Sequence, residues 1–221
     1  HDEFDELAEF LSRRHPQGHG VALLSLVEVK IEGALLNAIE WCLSEGCQVV
    51  SCSWGGGTTI DQTTARKFRE WAEAGVWLTF AGGNSGPNTP QTDAPGNSLD
   101  AINIAALDSS LNVATFSSAG AKIDSSGPGV NIWSARPGGG FTQMSGTSMA
   151  TPWAAGVLAL FRSGLVTRGM AVPKVAELRQ VLRERSMDVG PIGVDRRTGP
   201  GAIMPVLLAN YLTALPPVPA V

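Results

Sequence analysis

The sequence predicts a single α/β domain over residues 1–221: a mainly parallel, twisted sheet with helices on both faces. Three observations lead there. Short apolar runs alternate with stretches of helical periodicity, the pattern of strands buried on both faces. Glycine and proline are plentiful, 26 and 14 of them, in keeping with many tight strand–helix connections. Hydrophobic residues make up 43% of the chain and charged residues 16%, enough for one sizeable core, and no linker or internal repeat divides it.

In chain order, residues 2–14 read as a helix, with Phe4, Leu7, Ala8 and Leu11 on one face and acidic residues ahead of Arg13 and Arg14. Pro16 to Gly20 form a break. Residues 21–29 read as a strand and 33–44 as a helix stopped by Gly46. A near-continuous β run at 48–53 precedes a helix at 62–74 that Gly75 ends, and 76–81 is the next strand. Shorter strands are expected at 101–106, 113–117 and 131–134. Helices at 148–162, 174–185 and about 206–212 follow, and the tail Pro216-Pro217-Val218-Pro219 cannot continue a helix. In such sheets reactive groups gather at the carboxyl ends of strands, which draws attention to Gly55 and Asn84.

Several function classes fall away on composition. Net charge is −4, with the basic surplus confined to the carboxyl-terminal region. There Arg179, Arg183 and Arg185 follow a helical pattern and read as a solvated face. No aromatic-basic motif supports a nucleic-acid partner. The apolar helix from Met149 meets Arg162 after too few residues to span a membrane, so no membrane partner is expected. Cys42, Cys47 and Cys52 match no zinc spacing and no histidine lies near them, so they read as free thiols. No loop has the alternating Asp/Asn pattern of a calcium site; neither metal nor cofactor is expected.

The most informative segment is Met144-Ser145-Gly146-Thr147-Ser148-Met149-Ala150-Thr151-Pro152. It sets a serine where a glycine turn meets an apolar helix expected to be buried on every side, with Pro152 in the first helical turn, where its missing N–H costs nothing. Ser148 at such a start lies beside unpaired N–H groups and the positive end of the helix dipole, which suits a nucleophile whose attack creates an oxyanion. For an isolated Gly-Thr-Ser, an ordinary Ser or Thr N-cap is the better reading.

Gly146-Thr147-Ser148-Met149-Ala150-Thr151-Pro152 resembles the nucleophile motif of subtilisin-like serine peptidases, the subtilases. Leu78-Thr79-Phe80-Ala81-Gly82-Gly83-Asn84-Ser85-Gly86-Pro87 resembles the strand and loop that deliver that family's oxyanion asparagine, here Asn84, although it is also a good turn sequence on propensity. Val50-Ser51-Cys52-Ser53-Trp54-Gly55-Gly56 is similar to its substrate-lining strand end. Thr115-Phe116-Ser117-Ser118 and Gly127-Pro128-Gly129-Val130-Asn131-Ile132 resemble the strands leading to the nucleophile. So do Ala22 to Val29 and Ile39-Glu40-Trp41 the elements before them, and the likeness runs over about residues 20–205.

The resemblance implies a serine endopeptidase acting on peptides or proteins through a Ser148 acyl-enzyme, with Asn84 in the oxyanion hole. It also implies an extracellular or cell-envelope setting. Ser53, Trp54 and Gly55 would form one wall of the cleft for the residue before the cut, and Ala81, Gly82 and Gly83 the other. No charge lies in either segment, so an apolar or uncharged substrate side chain is expected there.

The base is the missing part. His1, His15 and His19 all precede Ser148, which excludes the α/β-hydrolase order and agrees with the subtilase order of Asp, His, Ser. His1 falls about where the family's histidine belongs, but His1-Asp2-Glu3-Phe4 departs from the family's His-Gly-Thr motif, and no residue precedes it to supply the aspartate. The expectation is therefore the carboxyl-terminal part of a catalytic domain, lacking its first strand, with acid and base on an upstream segment of the same protein. The alternative is a degenerate, non-catalytic subtilase fold kept for peptide binding or structure.

Overall fold

The structure, a computed structural model, describes residues 21–24 and 32–214; the helix expected at 2–14, most of the strand expected at 21–29 and the proline-rich tail lie outside them. Five strands lie side by side in chain order, all parallel: β1 (Val21–Leu24), β2 (Val49–Cys52), β3 (Trp77–Ala81), β4 (Ile102–Leu107) and β5 (Ser125–Pro128). An antiparallel hairpin of β6 (Ile132–Ala135) and β7 (Phe141–Met144) stands apart from this sheet. Short β8 (Ser186–Met187) and β9 (Ala202–Ile203) complete the seven-stranded sheet, β9 parallel to β5 and β8 antiparallel to β9.

Side-chain alternation along the central strands sorts them between two cores. Val50, Cys52, Leu78 and Phe80 face α1 (Glu32–Ser44) and α2 (Gln62–Glu73), where they meet Ala38, Ile39, Cys42, Phe68 and Trp71. Val49, Trp77, Ile102, Ile104 and Ala106 face the other way, onto α3 (Thr147–Thr167), α4 (Val175–Arg185) and α5 (Pro205–Ala214). Ala150, Ala154 and Ala155 bring α3 close to the sheet, and Leu158, fully buried among them, contributes about 1.5–3 kcal/mol by its removal from water. Local chemistry sets the helix ends. Asp61 caps α2 by accepting from the N–H groups of Thr63 and Thr64 at 2.8 and 3.0 Å, and Gly46 and Gly75, at φ +80° and +81°, turn the chain out of α1 and α2.

Four expectations need correction. Residues 113–117 are no strand: apart from a single bridge from Val113 to Leu107, the segment turns back, with Ser117 N–H on Ala114 O at 3.0 Å and the Ser117 hydroxyl taking Ala106 N–H. The apolar helix does not stop at Arg162 but reaches Thr167, 21 residues in all, because the guanidinium finds Gln48 Oε1 at 2.8 Å and Gly75 O at 2.7 Å. By length and composition alone it is long and apolar enough to cross a membrane; here its residues pack on β2 to β5 and α5. Nor is it buried all round, since Trp153, Leu160 and Val166 are exposed. Finally, Arg179 is not part of a solvated face. Its Nε donates to Asp124 Oδ1 at 2.6 Å and its Nη atoms to the carbonyls of Ser98, Leu99 and Ala101, in a nearly buried ion pair.

Candidate active site

Cys52 and Phe80 are partners in the parallel pairing of β2 with β3, so the residues that follow, Ser53 and Ala81, emerge together at the carboxyl ends of the strands. The first turn of α3 meets them there. Its N-cap, Gly146, is extended and provides no side-chain cap, so the N–H groups of that turn take acceptors from elsewhere. Thr147 is the hub. Its N–H and its hydroxyl both donate to Asn84 Oδ1, at 2.9 and 3.0 Å, and its hydroxyl oxygen accepts from Gly83 N–H at 3.2 Å. Two donors on one atom of the amide fix that atom as the oxygen. The other end of Asn84, its Nδ2, is thereby turned to the Gly146–Ser148 turn, 3.7 Å from the point where a Gly146 Cβ would stand.

Ser148 is tied to Ser53. Its hydroxyl donates to Ser53 O at 3.2 Å, while the Ser53 hydroxyl donates to Ser148 O at 2.7 Å. The second bond has a cause in sequence. Pro152 lies inside α3, not in its first turn as the sequence suggested, and an N–H at that position would have closed the helical bond to Ser148 O. Ser53 supplies the donor that proline lacks. Among the described residues the Ser148 N–H meets no acceptor, which leaves it, with Asn84 Nδ2, free to receive a negative charge at the positive end of α3. A backbone carbonyl cannot take the Ser148 proton, and the three histidines all lie outside the described residues.

The two expected walls face each other across a third segment. Ala81, Gly82 and Gly83 are buried, whereas Ser53 and Trp54 are half-buried and Gly55 is exposed. The Trp54 ring turns to the core, edge-on to Phe80 with centroids 4.9 Å apart, so the main chain of this residue is what it offers the wall. Gly82 and Gly96 have the Asn103 amide where their Cβ atoms would be, at 2.8 and 2.7 Å, and Asn103 is fully buried. Gly83, at φ +104°, has the Asp93 carboxylate in that place, 2.7–2.8 Å away, and Gly55 lies against the Asp93 Cβ. Burial raises the Asp93 pKa above the usual carboxylate value. Sequence reasoning missed both Asp93 and Thr147. Asp93 sits in an irregular segment with no motif around it, and Thr147 passed as part of a turn.

Among the described residues no group of three or more His, Cys, Asp or Glu side chains is placed to hold an ion. The three cysteines are unpaired, as their spacing suggested.

Residues 28–201 match the model of the Subtilase family. The chain is a subtilase. Its relatives include Subtilisin E of Bacillus subtilis (strain 168), 38% identical over 133 residues, or 58% of this chain and 34% of that protein. Another is Alkaline elastase YaB of Bacillus sp. (strain YaB), 33% identical over 150 residues, or 63% and 38% of the two chains. Of solved structures, the prenylagaramide maturation protease PagA superposes with a TM-score of 0.73 at 26% identity, covering 86% of this subtilase and 70% of PagA. The self-cleaved protease domain of PatA gives 0.71 at 28% identity, covering 81% and 67%. This subtilase thus spans about a third to a half of the length of the first subtilisins it matches. The fold read from the sequence is the fold of these neighbours.

Proposed function

We propose that this subtilase is a serine endopeptidase in which Ser148 attacks the substrate carbonyl and Asn84 holds the oxyanion that forms. The observation that carries the reading is the pair of hydrogen bonds that Thr147 N–H and hydroxyl donate to Asn84 Oδ1, which aims the amide N–H₂ at the Ser148 turn before any substrate arrives. Ser148 Oγ adds to the scissile carbonyl while its proton passes to a histidine base outside the described residues. Negative charge on the former carbonyl oxygen is shared by Asn84 Nδ2 and the Ser148 N–H. Expulsion of the amine leaves an acyl-enzyme on Ser148, which water hydrolyses by the reverse sequence.

Residues 1–221 belong, on this reading, to one subtilisin-like peptidase domain, supported by the single sheet that takes strands from Val21 to Ile203. Its substrates are peptides or proteins. A second reading, a degenerate subtilase that binds peptides without cutting them, draws on the Ser148 hydroxyl resting on the Ser53 carbonyl. Casein hydrolysis by the complete natural protein separates the two. The peptidase reading expects hydrolysis that Ser148→Ala abolishes; peptide binding with no turnover would favour the degenerate one.

A further inference from the structure

Asp93 is held between the two walls by backbone bonds to both. Its own N–H donates to Gly82 O at 3.2 Å, and the next residue is paired with the opposite wall, Ala94 N–H to Gly57 O at 3.1 Å and Gly56 N–H to Ala94 O at 2.9 Å. The main chain at Asp93 therefore has a fixed station between the two segments. Gly83 gives its carboxylate room: a Cβ there would lie 2.7–2.8 Å from it. At Gly55 a Cβ would stand 3.3 Å from the Asp93 Cβ. Of the small residues expected to leave space for a substrate side chain, Gly83 thus borders this carboxylate, while Gly55 on the other wall borders the Cβ that carries it.

That carboxylate is alone. The carboxylates of Asp61, Asp108, Asp124, Asp188 and Asp195 each accept from backbone or side-chain donors. Asp93 is half-buried like Asp108 and Asp195, yet among the described residues no donor or cation reaches its oxygens. A carboxylate partly withdrawn from water without a partner is unfavourable, and a cation brought to it recovers the lost interaction. The cleft is open to solvent on the Gly55 side, so the partner can come from outside.

We propose that Asp93 selects substrates carrying lysine or arginine immediately before the cleaved bond. The inference rests on the endopeptidase reading above and names its substrate class. It replaces the uncharged side chain expected from the two walls alone, because the deciding charge comes from a third segment. An ammonium or guanidinium entering between Gly55 and Gly83 forms a charge-assisted bond to Asp93, and arginine's planar fork matches both oxygens at once. A neutral side chain in the same place leaves the carboxylate desolvated and unpaired, which is the stronger source of discrimination.

The test uses the complete natural protein and peptides identical except for arginine, lysine or norleucine before the cut. The ratio of kcat/KM for arginine over norleucine should be on the order of 10²–10³, and Asp93→Asn and Asp93→Ser should collapse it towards one. A residue that only braces the loop would lower both rates together and leave the ratio standing. Equal rates on all three peptides in the unaltered protein would overturn the proposal while leaving Ser148 in place. Failure to cut any peptide would instead strike the endopeptidase reading. Calorimetry with benzamidine and its neutral isostere benzamide then decides the pocket without catalysis. Benzamidine binding that is lost in Asp93→Asn supports Asp93 as a cation site; equal binding of the two, or none, overturns it.

Discussion

Ser53 and Ser148 hydrogen-bond each other in both directions, hydroxyl to carbonyl at 3.2 Å one way and 2.7 Å the other. The pair joins the end of β2 to the first turn of α3, and it exists because Pro152 leaves Ser148 O without its helical donor. The proline inside α3 thereby ties Ser148 to Ser53 at the end of β2.

That relationship is measurable as a coupling energy. Ser53→Ala leaves the Ser148 carbonyl without this donor and should cost about 1–3 kcal/mol of stability. Pro152→Ala restores an N–H to the helix ladder, so Ser53→Ala should cost at least ~1 kcal/mol less in that background. Urea denaturation of the four proteins completes the cycle. Additive costs would show that the two residues do not share Ser148 O.

Asn84→Ala removes the side-chain donor proposed for the oxyanion. The corresponding loss in subtilisin, a member of the same family, is about 10²–10³ in kcat, and the same range is expected here with KM little changed. Thr147→Val keeps Asn84 but frees one of the two bonds on its oxygen, so a smaller fall in kcat should follow. Steady-state kinetics on one good peptide substrate distinguishes them.

Arg179→Ala should destabilise the fold strongly, by about 3–5 kcal/mol, because it strands the nearly buried Asp124 carboxylate. Asp124 also accepts Asn103 N–H at 2.9 Å, so it cannot simply turn to water. Since the pair is shielded, raising salt to 1 M should change the stability of the unaltered protein little through this contact. Chemical denaturation at two salt concentrations reads both effects.

The end of α1 makes a prediction about thiol chemistry. Gly46 N–H bonds Leu43 O and Cys47 N–H bonds Cys42 O, both at 3.0 Å, a glycine-terminated helix end that brings positions 42 and 47 into contact. The Cys42 thiol, as donor, lowers the Cys47 pKa to about 7, against burial and the Glu45 charge, which raise it. Cys42 is raised by that same interaction and then by burial, and Cys52 by burial alone. The thiolate is the reactive, deprotonated form, so Cys47 should alkylate readily from about pH 7 upward and progressively more slowly below it. Cys42 and Cys52 should stay unmodified until the protein unfolds. Iodoacetamide labelling followed by peptide mass spectrometry checks all three sites.

The parts of the fold legible in the sequence are those with strong hydrophobic patterning. β2, β3 and β4 are runs of buried apolar residues, and α1 and α2 end at glycines whose positive φ the sequence announces. β5 has no apolar pattern of its own, and only the family resemblance at Gly127-Pro128 touches it: the Ser125 hydroxyl bonds Gly201 O and Gly127 makes room for the Trp153 ring. Residues 113–117 misled in the opposite way, since β-branched and aromatic residues there pack in a turn. The motifs around Ser148 and Asn84, set next to glycines, are readable as a candidate site. The approach of Asp93 to Gly83 and the Arg179–Asp124 pair are not, because both arise only when distant segments meet.

The most direct test of the central claim is active-site labelling of the complete natural protein with a fluorophosphonate, with the adduct mapped by mass spectrometry. A single adduct on Ser148 is expected, absent in Ser148→Ala and formed more slowly in Asn84→Ala. An adduct on another serine, or labelling that survives Ser148→Ala unchanged, would contradict it.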